Sequence, residues 1–494
     1  MARLPVAIYS ESQVRALDRF AIEQAGIPSY TLMTRAGEAA LRTLRSCWPT
    51  AERLLVLCGP GNNGGDGYVL ARAALEQRLQ VRVAALADPS KLQGDARRAW
   101  EEFRAVGGET VAWDSRLLDE TDVVVDAIFG VGLTRAVEGQ IADCIRSVND
   151  SALHVLSIDI PSGLAADSGH ILGCAIQAER TITFIGLKLG FYLGDGPNCT
   201  GIVMCDSLDV PDEAFAAVPA SAVRIDEQTL ATTLPRRRRT AHKGQQGHLL
   251  LIGGGAGMAG AARLAGEAAL RVGSGLVTVA TRPENTAAIT AGRPELMCRG
   301  VSEAADLAPL IDRADVIAIG PGLGQDDWSR TVLSAVRECD KPMVVDADAL
   351  NLLAQSPYEK PNWVLTPHPG EAGRLLGIGA GDVQADRLSA ARRLIERYGG
   401  VVVLKGAGTL VVDRDSLPHI CDRGNPGMAS PGMGDVLTGV IAGILAQVAE
   451  PAAAARAGVL VHAMAGDLAA QRGERGLIAS DLFAYLPTCV NPIR

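Results

Sequence analysis

At 494 residues the chain exceeds one ordinary domain, so two or three are expected, and a content 48% hydrophobic but only 4% aromatic, with 55 glycines, suits Ala/Val/Leu-rich α/β layers. A net charge of -9 argues against general nucleic-acid binding, and no stretch approaches the roughly 18 consecutive apolar residues of a membrane span. The opening MARLPVAIYSESQ lacks an apolar signal-peptide core, and ten scattered cysteines form no CxxC pair, so a cytoplasmic chain with reduced thiols is expected, with neither a zinc site nor a disulfide framework.

To about residue 210, helical stretches alternate with short apolar runs at 54–58, 81–86, 122–130, 154–160 and 180–186, which predicts βαβ units around a mostly parallel sheet. Residues 211–235 turn Pro- and Ala-rich, which reads as a linker and places domains at 1–220 and 221–494. The four arginines Arg236–Arg239 read as a solvated linker end, since the chain around them is acidic. A second series starts at HLLLIGG (248–254) and runs through LVTVAT, DVIAIGPG, PMVVDADAL, NWVLTPHPG, VVVLKGAG and TLVVD. The fold class is therefore α/β, two doubly wound domains in tandem, with no internal repeat relating them.

In the first domain, GPGNNGGDG (59–67) follows the apolar run RLLVLC and precedes helical spacing from Tyr68. Glycines let backbone approach an anion, and the following helix aims its positive end at the same place, so the run reads as a phosphate cradle; a tight turn without ligand is the alternative. Polar residues also stand at two other strand ends, Asp126–Gly132 and Asp159–Gly163, where open α/β sheets put their sites. Asn, Asp and Ser oxygens without His or Cys suit a hard monovalent or divalent cation; capping of the next helix is the alternative for each.

GPGNNGGDG, DAIFGVG, SIDIPSG and TFIGLKLG, in this order, resemble the N-terminal domain of the bifunctional NAD(P)H-hydrate repair enzymes over residues 10–210. The resemblance implies a Rossmann-like epimerase domain. It places hydrated nucleotide contacts at Asn62, Asn63, Gly64, Gly65 and Asp66, at Gly130, Val131, Gly132, Leu133, Thr134, Arg135 and Ala136, and at Asp159. It assigns potassium (K+) ligands to Asn63, Asp126 and Ser162, and implies epimerisation of NADHX and NADPHX at C6 by a proton donor and acceptor for which Asp159 and Lys188 are the candidates, in either role. Thr34 in LMTRAG departs from the family's usual acidic or amide residue.

In the second domain, NPGMASPGMGD (425–435) ends in GxGD followed by an apolar helical run. Amides there stabilise a transferring phosphoryl group, and Asp435 accepts a hydroxyl proton. KGAGT (405–409) precedes it by one strand pair. Asp346 and Asp348 read equally as a metal site or as helix caps, and Pro431 removes one amide, leaving Gly432–Asp435 for any anion hole. HKGQQGHLLLIGGGAGMAGAA, GPGLG, DADALN, TPHPGE, KGAGT and PGMGD resemble the ADP-dependent NAD(P)H-hydrate dehydratase branch of the ribokinase-like superfamily over about 240–490. That resemblance implies hydrate contacts at Ala261, Gly324, His368 and Asp435. It also implies adenosine-phosphate contacts at Lys405, Gly406, Ala407, Gly408, Thr409 and Gly434, with ADP as cosubstrate and magnesium (Mg2+) on its oxygens. The expected partners are small molecules, NADHX, NADPHX and an adenine nucleotide, and a homo-oligomer is expected. Competing readings are a ribokinase-like small-molecule kinase and a scaffold role for the first domain.

Overall fold

In the computed structural model, which describes residues 4–491, the apolar runs of the first half become strands of one seven-stranded, wholly parallel sheet. Its order is Thr110–Val111, Gln80–Ala85, Arg53–Cys58, Val123–Ala127, His154–Ile158, Arg180–Phe184, Ile202–Asp206. The two outermost strands were not predicted; one has two residues and the other is only partly buried, so neither carries a continuous apolar run. Strand order reverses between Arg53–Cys58 and Val123–Ala127, and a doubly wound sheet opens a crevice at such a point. The chain splits between Ala222 and Val223 into two compact units.

The glycine run after Arg53–Cys58 differs from its prediction. The helix begins at Asn62, with Gly61 as its N-cap, so Asn62–Gly67 are its opening turns rather than a loop. A Cβ on Gly64 would lie 2.2 Å from the Gly59 carbonyl oxygen, so glycine here lets the helix settle onto the chain that enters it. Gly64→Ala is expected to destabilise the first unit by roughly 1–3 kcal/mol through overpacking, read as a lower urea midpoint for that unit; an unchanged midpoint would contradict it.

In the second unit the sheet order is Met297–Gly300, Leu276–Thr281, His248–Ile252, Val316–Ile319, Met343–Val345, Trp363–Leu365, Val401–Leu404, Thr409–Val412, His419–Cys421, Ala222–Arg224. Thr409–Val412 runs antiparallel to both its neighbours; the remaining pairs in this series are parallel. The stretch expected as a linker instead holds the helices Asp212–Ala217 and Glu227–Thr233 and the strand Ala222–Arg224, because Ile225 and Leu230 find apolar cover. Over the sheet, the helices Ala259–Arg271 and Met433–Val448 touch backbone to backbone: a Cβ on Gly439 would stand 2.0 Å from the Ala265 carbonyl oxygen. Small residues at this seam explain how a chain so poor in aromatics still fills its core. All ten cysteines are free, and among the described residues no helix is long and apolar enough to cross a membrane.

Candidate active sites

The first site lies at the reversal point of the seven-stranded sheet. Asp126, near the end of its strand, is fully buried, and its carboxylate accepts hydrogen bonds from Ser157 Oγ (2.8 Å), Ser162 N (2.8 Å), Ser162 Oγ (2.5 Å) and Ile128 N (3.3 Å). Among the described residues no Lys, Arg or His pairs with it. Burial pushes its pKa up, and the serine hydrogen bonds pull it back. Asn63 is buried as well, and neither its Oδ1 nor its Nδ2 has a hydrogen-bond partner. The candidate position Gly130 lies between Asn63 and Asp159: a Cβ there would lie 3.0 Å from Asp159 Oδ2 and 3.5 Å from Asn63 Cβ. An uncompensated carboxylate and an unsatisfied amide oxygen are what a hard cation requires, so these residues fit one.

Asp159 sits just past its strand with φ +68°, a conformation non-glycine residues seldom hold without a purpose. Its Oδ1 accepts from Lys188 Nζ at 2.7 Å, and its Oδ2 from the Val131 amide at 3.3 Å. Lys188 is fully buried, and its ammonium also donates to Thr183 Oγ1 (2.5 Å) and the Phe184 carbonyl (3.1 Å). All three ammonium protons are therefore engaged, and Lys188 holds Asp159 in place rather than offering a free proton. The Gly130–Ala136 segment divides. Gly130 and Val131 border Asp159 and Gly132 lies under Arg15, whereas Leu133 joins the apolar cluster around Ile128 and Val137, Ala136 rests against Gly173, and Thr134 and Arg135 face solvent.

Sequence reasoning passed over the helix Glu11–Glu23. Its Arg15 reaches over Gly132, and its Asp18 is pushed up to about 6 by burial, with Lys188 pulling down and Asp159 pushing up. Asp66 is raised further, by burial and then by Asp159 and Asp18. Asp18 and Asp66 are thus both pushed toward the protonated form beside Asp159, and carboxyls with raised pKa values suit a proton donor. Thr34 stays in its own helix, donating to the Tyr30 carbonyl at 2.8 Å.

The second site collects the carboxyl ends of three parallel strands and one helix start. Lys405, after Val401–Leu404, donates to Asp346 Oδ1 at 2.8 Å and stands 3.6 Å from Glu371 Oε2. Asp346 also accepts from Thr438 Oγ1 at 2.6 Å, and Asp348 accepts from the Gly324 amide at 2.9 Å. Asp346 makes no capping bond to its helix. One aspartate therefore anchors the lysine, and the other braces the GPGLG turn. Ala261 lies against the same turn, its Cβ 2.9 Å from where a Cβ on Gly322 would be. His368 Nδ1 accepts from the amides of Gly370 (3.0 Å) and Glu371 (3.3 Å), so Nε2 carries the proton, 3.5 Å from Glu371 Oε1. Burial lowers the His368 pKa, against the pull of Glu371.

Asp435 occupies the first turn of Met433–Val448, whose N-cap is Gly432 with φ +87°. Its carboxylate has no hydrogen-bond partner among the described residues, so it is not a cap. Burial, then Asp346, pushes it up to about 7, with Lys405 pulling the other way. Gly434 adjoins Lys405: a Cβ on it would lie 3.4 Å from Nζ. Lys405 itself loses to burial but gains more from Asp346 and Glu371, and its pKa ends raised. Behind this cluster His462 is held neutral, pushed down to about 4 by burial against a backbone hydrogen bond with Met433. Glu371 was within reach of the sequence, since H-P-G-E spells a capping box; Arg387 and His462 carry no such signal.

Residues 249–488 match the family described as NAD(P)H-hydrate dehydratase, and residues 29–190 match YjeF-related protein N-terminus. Over 486 residues the chain is 48% identical to the bifunctional NAD(P)H-hydrate repair enzyme Nnr of Coxiella burnetii, covering 98% of this chain and 99% of that one. The chain belongs to the bifunctional NAD(P)H-hydrate repair enzymes. The family member of Escherichia coli (strain K12) is 45% identical, with 99% and 95% covered. Among solved structures, the ADP/ATP-dependent NAD(P)H-hydrate dehydratase from Bacillus subtilis, co-crystallized with ATP/Mg2+, is 32% identical with a TM-score of 0.50, over 54% of this chain and 96% of that one. A ribokinase-like superfamily protein from Enterococcus faecalis is 30% identical with a TM-score of 0.51, over 55% and 95%. These likenesses place the second unit in the ribokinase-like fold and disfavour the reading as an unrelated small-molecule kinase.

Proposed function

We propose that the first unit epimerises the R and S forms of NADHX and NADPHX at C6, and that the second dehydrates the S form with ADP, giving NADH or NADPH, AMP and phosphate. The observation that carries this is the unpartnered Asp435 carboxylate at a helix start beside Lys405, because a base placed next to amides and a cation suits phosphoryl transfer and has no structural task there. In the second unit Asp435 takes the proton of the C6 hydroxyl as that oxygen attacks the β-phosphorus of ADP and the bond to AMP breaks. The phosphate ester then leaves as the ring nitrogen pushes in electrons and C5 loses a proton. Ala261, the Gly324 turn and His368 hold the hydrate, while residues 405–409 and Gly434 face the nucleotide phosphates. Magnesium bound with the nucleotide would neutralise phosphate charge.

In the first unit, Asp159, held in place by Lys188, draws the proton from the C6 hydroxyl. The C6–N bond opens, a neighbouring protonated carboxyl supplies the ring nitrogen, and reclosure on the other face inverts C6. Asn63, Asp126 and Ser162 would hold potassium, whose charge offsets the buried Asp126 and the nucleotide's pyrophosphate. With ADP and magnesium, a full-length chain whose first site is disabled is expected to consume only the S fraction of a mixed hydrate quickly, the rest following at the spontaneous epimerisation rate. Absorbance of the NADH formed follows the reaction, and rapid complete consumption would sink the division of labour.

A further inference from the structure

We propose that Arg387 is the positioning cation of the adenine-nucleotide phosphate site, setting the outward face of the 405–409 turn and supplying positive charge beyond what Lys405 offers. The proposal rests on the reading that this turn holds the nucleotide phosphates. Arg387 opens the helix Arg387–Tyr398 and is only 6% exposed. Its guanidinium has no carboxylate partner among the described residues. It donates instead to backbone: Nη2 to the carbonyls of Leu404 (3.1 Å) and Lys405 (3.3 Å), and Nη1 to that of Ala407. Nε, also buried, has no partner.

Two consequences follow from peptide geometry and charge. Carbonyl and following amide point in opposite directions across a trans peptide. Drawing the Lys405 and Ala407 carbonyls inward therefore turns the amides of Gly406 and Gly408 outward, away from the guanidinium. Gly406 has φ +139°, and a Cβ on it would lie 3.1 Å from Nη2, so the turn closes on the arginine only with glycine there. Outward amides in such a turn form an anion-binding concavity. As for charge, Lys405 is shared by Asp346 and Glu371, which offset much of what it can offer a phosphate. Arg387 has no such neutraliser, and although burial pulls its pKa down to about 10, it remains a cation at neutral pH. A buried, unpaired guanidinium is costly unless an anion comes to the other side of the turn.

The test compares ADP with adenosine, which lacks phosphate, by calorimetry on full-length Arg387→Met and Arg387→Lys. The methionine variant is expected to weaken ADP roughly tenfold to a hundredfold while leaving adenosine unchanged. The lysine variant, charged but without the planar fork, should fall between. Epimerase activity in the same samples reports an intact first unit. If Arg387→Met fails to fold its unit, Arg387→Lys with the same two ligands decides the matter. Unchanged ADP affinity, or equal loss of ADP and adenosine, overturns the role of Arg387. Absence of ADP-driven NADH formation in the unaltered chain would instead overturn the functional reading beneath it.

Discussion

Asp435→Asn is expected to lower kcat for ADP-driven dehydration by roughly 10²- to 10⁴-fold, the range lost with a general base. The KM for the hydrate should change little, because asparagine preserves shape and hydrogen bonding. Stability should also hold, within about 0.5 kcal/mol, since the carboxylate caps nothing and pairs with no cation directly. Epimerisation by the same sample serves as an internal control. A base must be ionised to act, and this one is pushed up to about 7. Dehydration in the unaltered chain should accordingly rise with pH to a plateau above about 7, and the residual rate of the variant should lack that limb. Removing Lys405, which pulls the Asp435 pKa down, should move the limb to higher pH. A variant retaining full kcat, or the same pH limb, would show that the proton leaves by another route.

Asp159→Asn is expected to reduce epimerisation by a comparable roughly 10²- to 10⁴-fold, and it carries a second cost that Asp435→Asn does not. Lys188 is fully buried, and among the described residues Asp159 is the one carboxylate that pairs with it. Breaking a buried pair from one side leaves a stranded charge, which destabilises by roughly 3–5 kcal/mol. Asparagine is the informative replacement because residue 159 sits at φ +68°, where asparagine is tolerated better than alanine; the loss then reports charge and not backbone strain. Adding Lys188→Met should recover much of the stability and none of the activity. Unfolding of the first unit and chromatographic separation of the two epimers measure the two effects. A single variant as stable as the unaltered chain would mean that the Lys188–Asp159 pair adds no net stability, and recovery of activity in the double variant would remove Asp159 from the chemistry.

Much of this architecture could be read from alternation. Central parallel strands are covered on both faces, so LLVLC and HLLLI announce themselves as unbroken apolar runs. Edge strands such as Thr110–Val111 and Met297–Gly300 have little to bury and leave no such trace. The glycine run 59–67 was legible as a close-approach element but not as a helix, since glycine's low helix propensity is overridden by packing that a linear sequence does not display. For the sites, strand-end polar residues pointed to Asp126, Asp159 and His368, because a doubly wound sheet fixes where such residues gather. Partnerships were hidden. The three acceptors around Lys188 and the flanking of Lys405 by Asp346 and Glu371 leave no trace in the linear order, and Asp18 arrives from a helix far away in the chain.

The seam between Ala259–Arg271 and Met433–Val448 also bears on how the second site operates in time. Ala261, to which the proposed function gives a contact with the hydrate, rides on one helix, and Asp435 rides on the other. The contact at Gly439 leaves no slack for the pair to slide or tilt independently. Recognition and proton removal are thereby mounted on a single stiff body, and the distance between them is a constant of the fold and not a product of closure.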